Sequence, residues 1–350
     1  MKRKHFTNFI IYSFIILLFN CNTKTVVSSE TTNNTTLKLT EDIIWASPNG
    51  FDLTMDIYTP NTGKSSYPVI VMYHGGGWLI NDNSIMDQSA KYLATNAEYI
   101  VCNVNYRLLG DQNNTVTLNT IVEDAYGALL WVKENIAKYK GNPNQVIVTG
   151  DSAGGHLATM VASQHNNLSS TGFTQAPLGF SPTYLPKGLT LEAVEHQNLF
   201  EVQAAIISYG AFDLYNAALN GFESSDNIFW MLGNAEARGI FTNAYNVTDN
   251  ADLYKKVSPY YNIPNPTEKK LPPMLFTVGT EDTTTTPKSI EAYIKKLKDA
   301  GHTNIKYWQH QDRPHAFLDS GSNEFLKINF EDDAVPALKV MISYLDSIFY

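Results

Sequence analysis

A mostly parallel sheet of about eight strands, with helices on both faces, is the fold class this sequence predicts, and three observations predict it. Short apolar runs alternate with stretches of helical periodicity along most of the chain. The first two runs instead follow one another across Pro48-Asn49-Gly50, a turn signal that joins antiparallel strands. Two later runs stop abruptly at glycine clusters, as buried strands do where they end in tight loops.

Taken in order, residues 42–47 and 51–58 are the two strands of the opening hairpin. Residues 68–73 are continuously apolar, the mark of a strand covered on both faces. A helix around 84–95 leads to a strand at 99–104, where Cys102 reads as a core residue. Residues 119–139 place Ile121, Ala125, Ala128, Leu129, Val132 and Ile136 on one helical face. Further strands are expected at 145–149, 202–208, 274–278 and 304–310, with helices at 287–300 and 335–348. Two stretches break the rhythm: 169–200, rich in Pro, Gly and Thr, and 216–273, rich in aromatics. Both follow strands at the carboxyl side of the sheet, where such folds bind ligands, so both are expected to be lids or pocket walls.

The composition narrows the partners. The net charge is −9, and removing Lys2, Arg3 and Lys4 with the first twenty residues takes it to −12. An acidic chain of this kind does not suit nucleic acid or an anionic membrane surface. The basic triplet precedes an apolar stretch, 6–19, that is shorter than the roughly 20 residues of a membrane span. Residues 1–20 therefore read as an export signal, and 21–40, rich in Ser, Thr, Asn and Lys, as a flexible tether ahead of a single domain over 41–350. Leu17-Leu18-Phe19-Asn20-Cys21 is similar to a bacterial lipoprotein signal, which makes Cys21 the expected lipid anchor, with plain cleavage as the alternative. With Cys102 in the core, no internal disulfide is expected. There is no H-E-x-x-H, cysteine cluster or G-x-G-x-x-G, so neither metal nor cofactor is implied.

The chemistry lies in the glycine clusters. His74-Gly75-Gly76-Gly77-Trp78 follows one apolar run, and Gly150-Asp151-Ser152-Ala153-Gly154-Gly155 follows another and opens a small-residue helix. A G-x-S-x-G between strand and helix is the setting of a nucleophile elbow, a turn so sharp that its neighbours must be small. The glycine run can offer bare backbone N–H groups to a developing oxyanion. A serine hydroxyl is a weak nucleophile near neutral pH and needs a base, which needs an orienting acid. In this kind of sheet the order is Ser, acid, His. Glu281 and Asp282 follow the 274–278 strand, and His302, His310 and His315 come later.

These segments resemble the α/β-hydrolases of the hormone-sensitive-lipase-like group, most of all the bacterial acetyl-xylan and feruloyl esterases. The anchors are His74–Trp78, Asn105-Tyr106-Arg107, Gly150–Gly155, Gly279-Thr280-Glu281-Asp282, Pro314-His315-Ala316-Phe317 and the early Met55-Asp56-Ile57-Tyr58-Thr59-Pro60. The lipase-like members usually continue the Tyr-Arg-Leu segment with Ala-Pro-Glu, which Leu108-Leu109-Gly110 does not, and this leans away from lipid esters. The resemblance implies Ser152 as nucleophile, Asp282 as acid with Glu281 its rival, and His315 as base. It also implies Gly76, Gly77 and Ala153 as oxyanion donors, and an ester substrate, small or borne on a polysaccharide. An amide-cleaving relative of the arylformamidase kind uses the same machinery, and a non-catalytic binding module is the remaining alternative. His74 and His156 are expected to buttress, Trp78 to wall the loop, and Asp151, Arg107 and Asp124 to form one buried charge cluster. Phe229, Trp230, Tyr260 and Tyr261 are expected either to stack on an aromatic acyl group or to pack the second insertion.

Overall fold

The computed structural model describes residues 36–163, 168–170 and 172–350; the expected export signal and Cys21 lie outside the described residues. Eight strands form one sheet: β1 (Thr36–Ala46), β2 (Leu53–Asn61), β3 (Tyr67–Tyr73), β4 (Ile100–Val104), β5 (Gly141–Asp151), β6 (Ala204–Ser208), β7 (Met274–Gly279) and β8 (Ile305–His310). Their spatial order is β1-β2-β4-β3-β5-β6-β7-β8. β1 and β2 pair antiparallel, as do β2 and β4, and every later pairing is parallel. Strands β3, β4, β6 and β7 are buried along their whole length, which explains their unbroken apolar sequence.

Five helices cover the sheet: α1 (Asp87–Asn96), α2 (Leu118–Asn135), α3 (Ala153–Ser163), α4 (Pro287–Asp299) and α5 (Val335–Phe349). α1 packs with α5 and α2 packs with α3, and Phe212 and Tyr293 stack at 4.1 Å to seat α4. α4 starts on its own cap, since Thr286 Oγ1 accepts the Ser289 N–H at 3.2 Å ahead of Pro287.

The strand order sets the location of the site. From β3 the chain turns to one side to form β4, then crosses back to form β5 on the other. A crevice opens outside the carboxyl ends of β3 and β5 at such a reversal. Both glycine motifs sit there, because Tyr73 is in register with Gly150.

Two expectations need correction. Residues 36–40, assigned to the 21–40 tether, are strand: Thr36 pairs with Asn61 and Thr40 with Ile57. Polar content does not prevent a strand when an edge partner supplies the backbone hydrogen bonds, and Leu37 packs on the core. The 169–200 insertion wraps α2 instead of covering the crevice. The Ser181 and Thr183 N–H groups bond Glu123, Tyr184 bonds Glu134, and Phe180 packs on Tyr126 at 5.6 Å.

Candidate active site

Ser152 stands at the tip of the turn between β5 and α3 with φ of 52°, a left-handed conformation that costs a non-glycine residue roughly 1–3 kcal/mol. The turn is held from both sides. The Ser152 N–H donates to Ser208 O at 2.9 Å, tying it to the end of β6. Gly154 lies so close to β3 that a Cβ there would stand 1.9 Å from Tyr73 O.

His315 comes from the loop after β8 and Asp282 from the loop after β7. His315 Nε2 is 2.9 Å from Ser152 Oγ, and His315 Nδ1 is 2.7 Å from Asp282 Oδ2. The three residues proposed from sequence therefore form one continuous hydrogen-bonded line across three strand ends. Glu281 is exposed and uses its N–H on Arg313 O at 3.0 Å, so it stays outside the line. His302 and His310 are spent on the carbonyls of Pro264 and Asp333 at 2.8 and 2.9 Å.

The acid is fully bonded. Asp282 Oδ1 accepts the N–H groups of Thr284 and Thr285 at 2.8 and 2.9 Å, while Oδ2 faces His315 and lies 3.2 Å from the Thr285 hydroxyl oxygen. Asx-turn bonding of this kind fixes a carboxylate's rotamer. Thr285 was not singled out in the sequence; the Asp-Thr-Thr-Thr run was its only signal. The loops carrying acid and base are also joined by backbone, through Thr280 N–H to His310 O at 2.9 Å and Glu281 N–H to Arg313 O at 3.0 Å.

Gly76 and Gly77, in the loop after β3, have φ of 115° and 59°, and among the described residues neither N–H donates to a protein acceptor. A Cβ on Gly77 would lie 2.5 Å from the Phe229 ring, so only glycine fits beneath that ring. Ala153 supplies a third N–H at the start of α3, where the helix dipole is positive.

The remaining expected residues separate. His74 stacks on Tyr106 at 4.3 Å and engages Gly75 O through Nδ1, and burial brings its pKa down to about 4. His156, also lowered to about 4 by burial, bonds Val257 O at 2.8 Å and meets Trp78 edge-on. Both imidazoles are neutral buttresses. The expected three-member charge cluster is a pair. Arg107 Nε and Nη2 fork onto Asp124 at 2.8 and 2.5 Å, whereas Asp151 stands apart, with His315 and Asp319 as the charged groups that bear on it. Of the aromatic group, only Phe229 reaches the glycine loop. Trp230 is buried and donates to Phe222 O, and Tyr260 and Tyr261 lie under Lys296.

This sheet, its switch point and the strand-end loops define an α/β-hydrolase fold. The BD-FAE family model matches residues 55–297, well over half of the chain, and the chain belongs to that family. Among curated relatives, the Carboxylesterase NlhH of Mycobacterium tuberculosis is 36% identical over 111 residues, which cover 32% of this chain and 34% of that enzyme. The Esterase LipQ of the same species is 27% identical over 281 residues, 79% of this chain and 57% of LipQ. The chain thus spans about a third to just over half of the length of these relatives. The solved thermophilic esterase Est2 of Thermogutta terrifontis superposes with a TM-score of 0.59 at 21% identity, covering 87% of this chain and 90% of that one, a likeness of fold.

Proposed function

We propose that this protein is a serine carboxylesterase in which Ser152 is the nucleophile, His315 the general base and Asp282 the orienting acid. The observation that carries the reading is the Ser152–His315–Asp282 line, at 2.9 and 2.7 Å; two glycine N–H groups in the loop after β3, with no protein acceptor among the described residues, support it. With Nδ1–H donated to Asp282, Nε2 of His315 keeps its lone pair for the Ser152 proton. Ser152 Oγ attacks the ester carbonyl carbon as His315 takes the hydroxyl proton. The carbonyl oxygen becomes an oxyanion facing Gly76, Gly77 and Ala153. The C–O bond to the alcohol then breaks, and the imidazolium returns its proton to the leaving oxygen. Water repeats the sequence on the acyl-enzyme, releasing the acid and restoring Ser152.

The proposed substrates are short-chain esters or the acetyl and feruloyl esters of polysaccharide side chains. The family membership supports this class, and so does the Phe229 ring, which limits the space above Gly77. Export with Cys21 as lipid anchor belongs to the same reading, and mass analysis of the mature N-terminus tests it. The activity is tested by fluorophosphonate labelling followed by rates on aryl acetate, aryl decanoate, acetylated xylan, methyl ferulate and N-formylkynurenine. Labelling at Ser152 and faster turnover of acetate than decanoate are expected. No adduct on Ser152 would overturn the reading, and preference for the formamide would shift it to amide hydrolysis.

A further inference from the structure

Tyr209 is the first residue beyond β6, and its surroundings are unusual for a tyrosine. It is fully buried, yet its φ is 37°, a left-handed conformation for a bulky side chain. Such conformations persist where the surroundings over-determine them. Its N–H donates to Thr277 O at 2.6 Å, which ties it to β7. Its carbonyl accepts the Thr285 hydroxyl at 2.8 Å, and that hydroxyl oxygen lies 3.2 Å from Asp282 Oδ2 and 3.3 Å from His315 Nδ1. At the other end, the phenol oxygen accepts the buried Leu318 N–H at 3.2 Å, three residues past the base. The ring packs edge-to-face on His315 at 4.8 Å and on Phe317 at 4.7 Å.

The Tyr209 hydroxyl also bears on Asp151. Asp151, the residue before the nucleophile, is buried, and burial disfavours its charged form, an effect that the His315 ring, the Gly75 N–H and the Tyr209 hydroxyl partly offset. Among the described residues its Oδ1 has no hydrogen-bond partner. One residue therefore connects the elbow, the acid loop and the base loop. The base loop needs such a connection, because His315 sits on irregular backbone with Ala316 at a φ of 66°.

We propose that Tyr209 is a positioning residue for His315, its hydroxyl locking the base loop onto the Asp151 side of the nucleophile elbow. The proposal rests on the serine-esterase reading above. Removal of the hydroxyl strands the Leu318 N–H and takes a donor from Asp151. The base loop then loses the tie at Leu318 that holds it three residues past His315. The groups facing Asp151 are His315, Asp319, Tyr209 and Tyr106, with Asp282 beyond the imidazole.

The test is Tyr209→Phe, with Tyr126→Phe as control, since Tyr126 is an equally buried tyrosine whose hydroxyl bonds Met160 O at 3.2 Å away from the site. For Y209F, kcat on an aryl acetate should fall about tenfold with KM within twofold, as for a residue that acts on the reacting groups through geometry. Y126F should leave both kcat and KM unchanged. Asp151→Asn should lower kcat in the same way, and Y209F/D151N should lose no more than the larger single loss. A folded Y209F with wild-type kcat overturns the proposal, as does additivity of the two losses. Should Y209F not fold, wild-type kcat in D151N overturns it alone. Absence of Ser152 labelling in the wild type would instead defeat the esterase reading, so the two failures are distinguishable.

Discussion

Replacement of Asp282 by Asn keeps the size of the side chain and inverts half of its hydrogen bonding, which makes the outcome calculable from the site. The carboxylate meets three donors, the N–H groups of Thr284 and Thr285 and His315 Nδ1–H, while the Thr285 hydroxyl proton goes to Tyr209 O. An amide has one acceptor oxygen. The two backbone N–H groups cannot turn away, so they claim that oxygen, and the amide NH2 then faces His315 Nδ1. The imidazole answers by carrying its proton on Nε2, toward Ser152, where it can no longer accept the hydroxyl proton. Loss of the correct tautomer at conserved geometry costs ~10⁴ in kcat in a serine protease, about 5 kcal/mol of transition-state stabilisation. Initial rates on an aryl acetate at saturating substrate measure it, with Glu281→Gln as the exposed neighbour that should keep full rate. D282N within tenfold of wild-type kcat would refute the assignment of acid and tautomer together.

Three other outcomes follow from the same structure. Gly77→Ala puts a Cβ 2.5 Å from the Phe229 ring at a φ of 59°; displacing this N–H should lower kcat by ~10²–10³, and an unimpaired rate on aryl acetate would remove Gly77 from the oxyanion site. Arg107→Met leaves the Asp124 carboxylate fully buried without its guanidinium and should cost about 3–5 kcal/mol in urea unfolding, so a loss below about 1 kcal/mol would contradict the buried pair. Burial pushes Asp151 up from an ordinary 3.8 to about 7. The folded state therefore binds more protons than the unfolded state between these values, and stability is lost as pH rises through that window. Asp151→Asn should accordingly be near neutral for stability at pH 4 and stabilising above pH 7, with a ceiling of roughly 4 kcal/mol. Melting curves across that range check it, and a pH-independent difference would show that Asp151 ionises without cost.

The order of strands and helices was readable because each central strand is buried on both faces and each helix has one apolar face. Those periodicities are local and survive in a single sequence. The elbow and the glycine loop were readable for a related reason: a left-handed turn and a close approach admit few residue types, so Gly77, Gly154 and their neighbours announce their geometry. Asp282 and His315 were reachable because the fold dictates their order, although Glu281, His302 and His310 could be set aside only by their bonds.

Other features depend on distance in space, and the chain carries no local mark of it. Thr36 to Thr40 look like tether until β2 offers them a partner. Arg107 chooses Asp124 and not Asp151 because α2 presents one carboxylate and the elbow points the other toward His315. Tyr209 has no motif around it, yet its two ends meet loops that lie more than seventy residues away in sequence. The residues proposed here to carry the chemistry were legible in the chain alone; what holds them became visible only in three dimensions, because hydrogen bonds between strand ends depend on how the sheet brings those ends together.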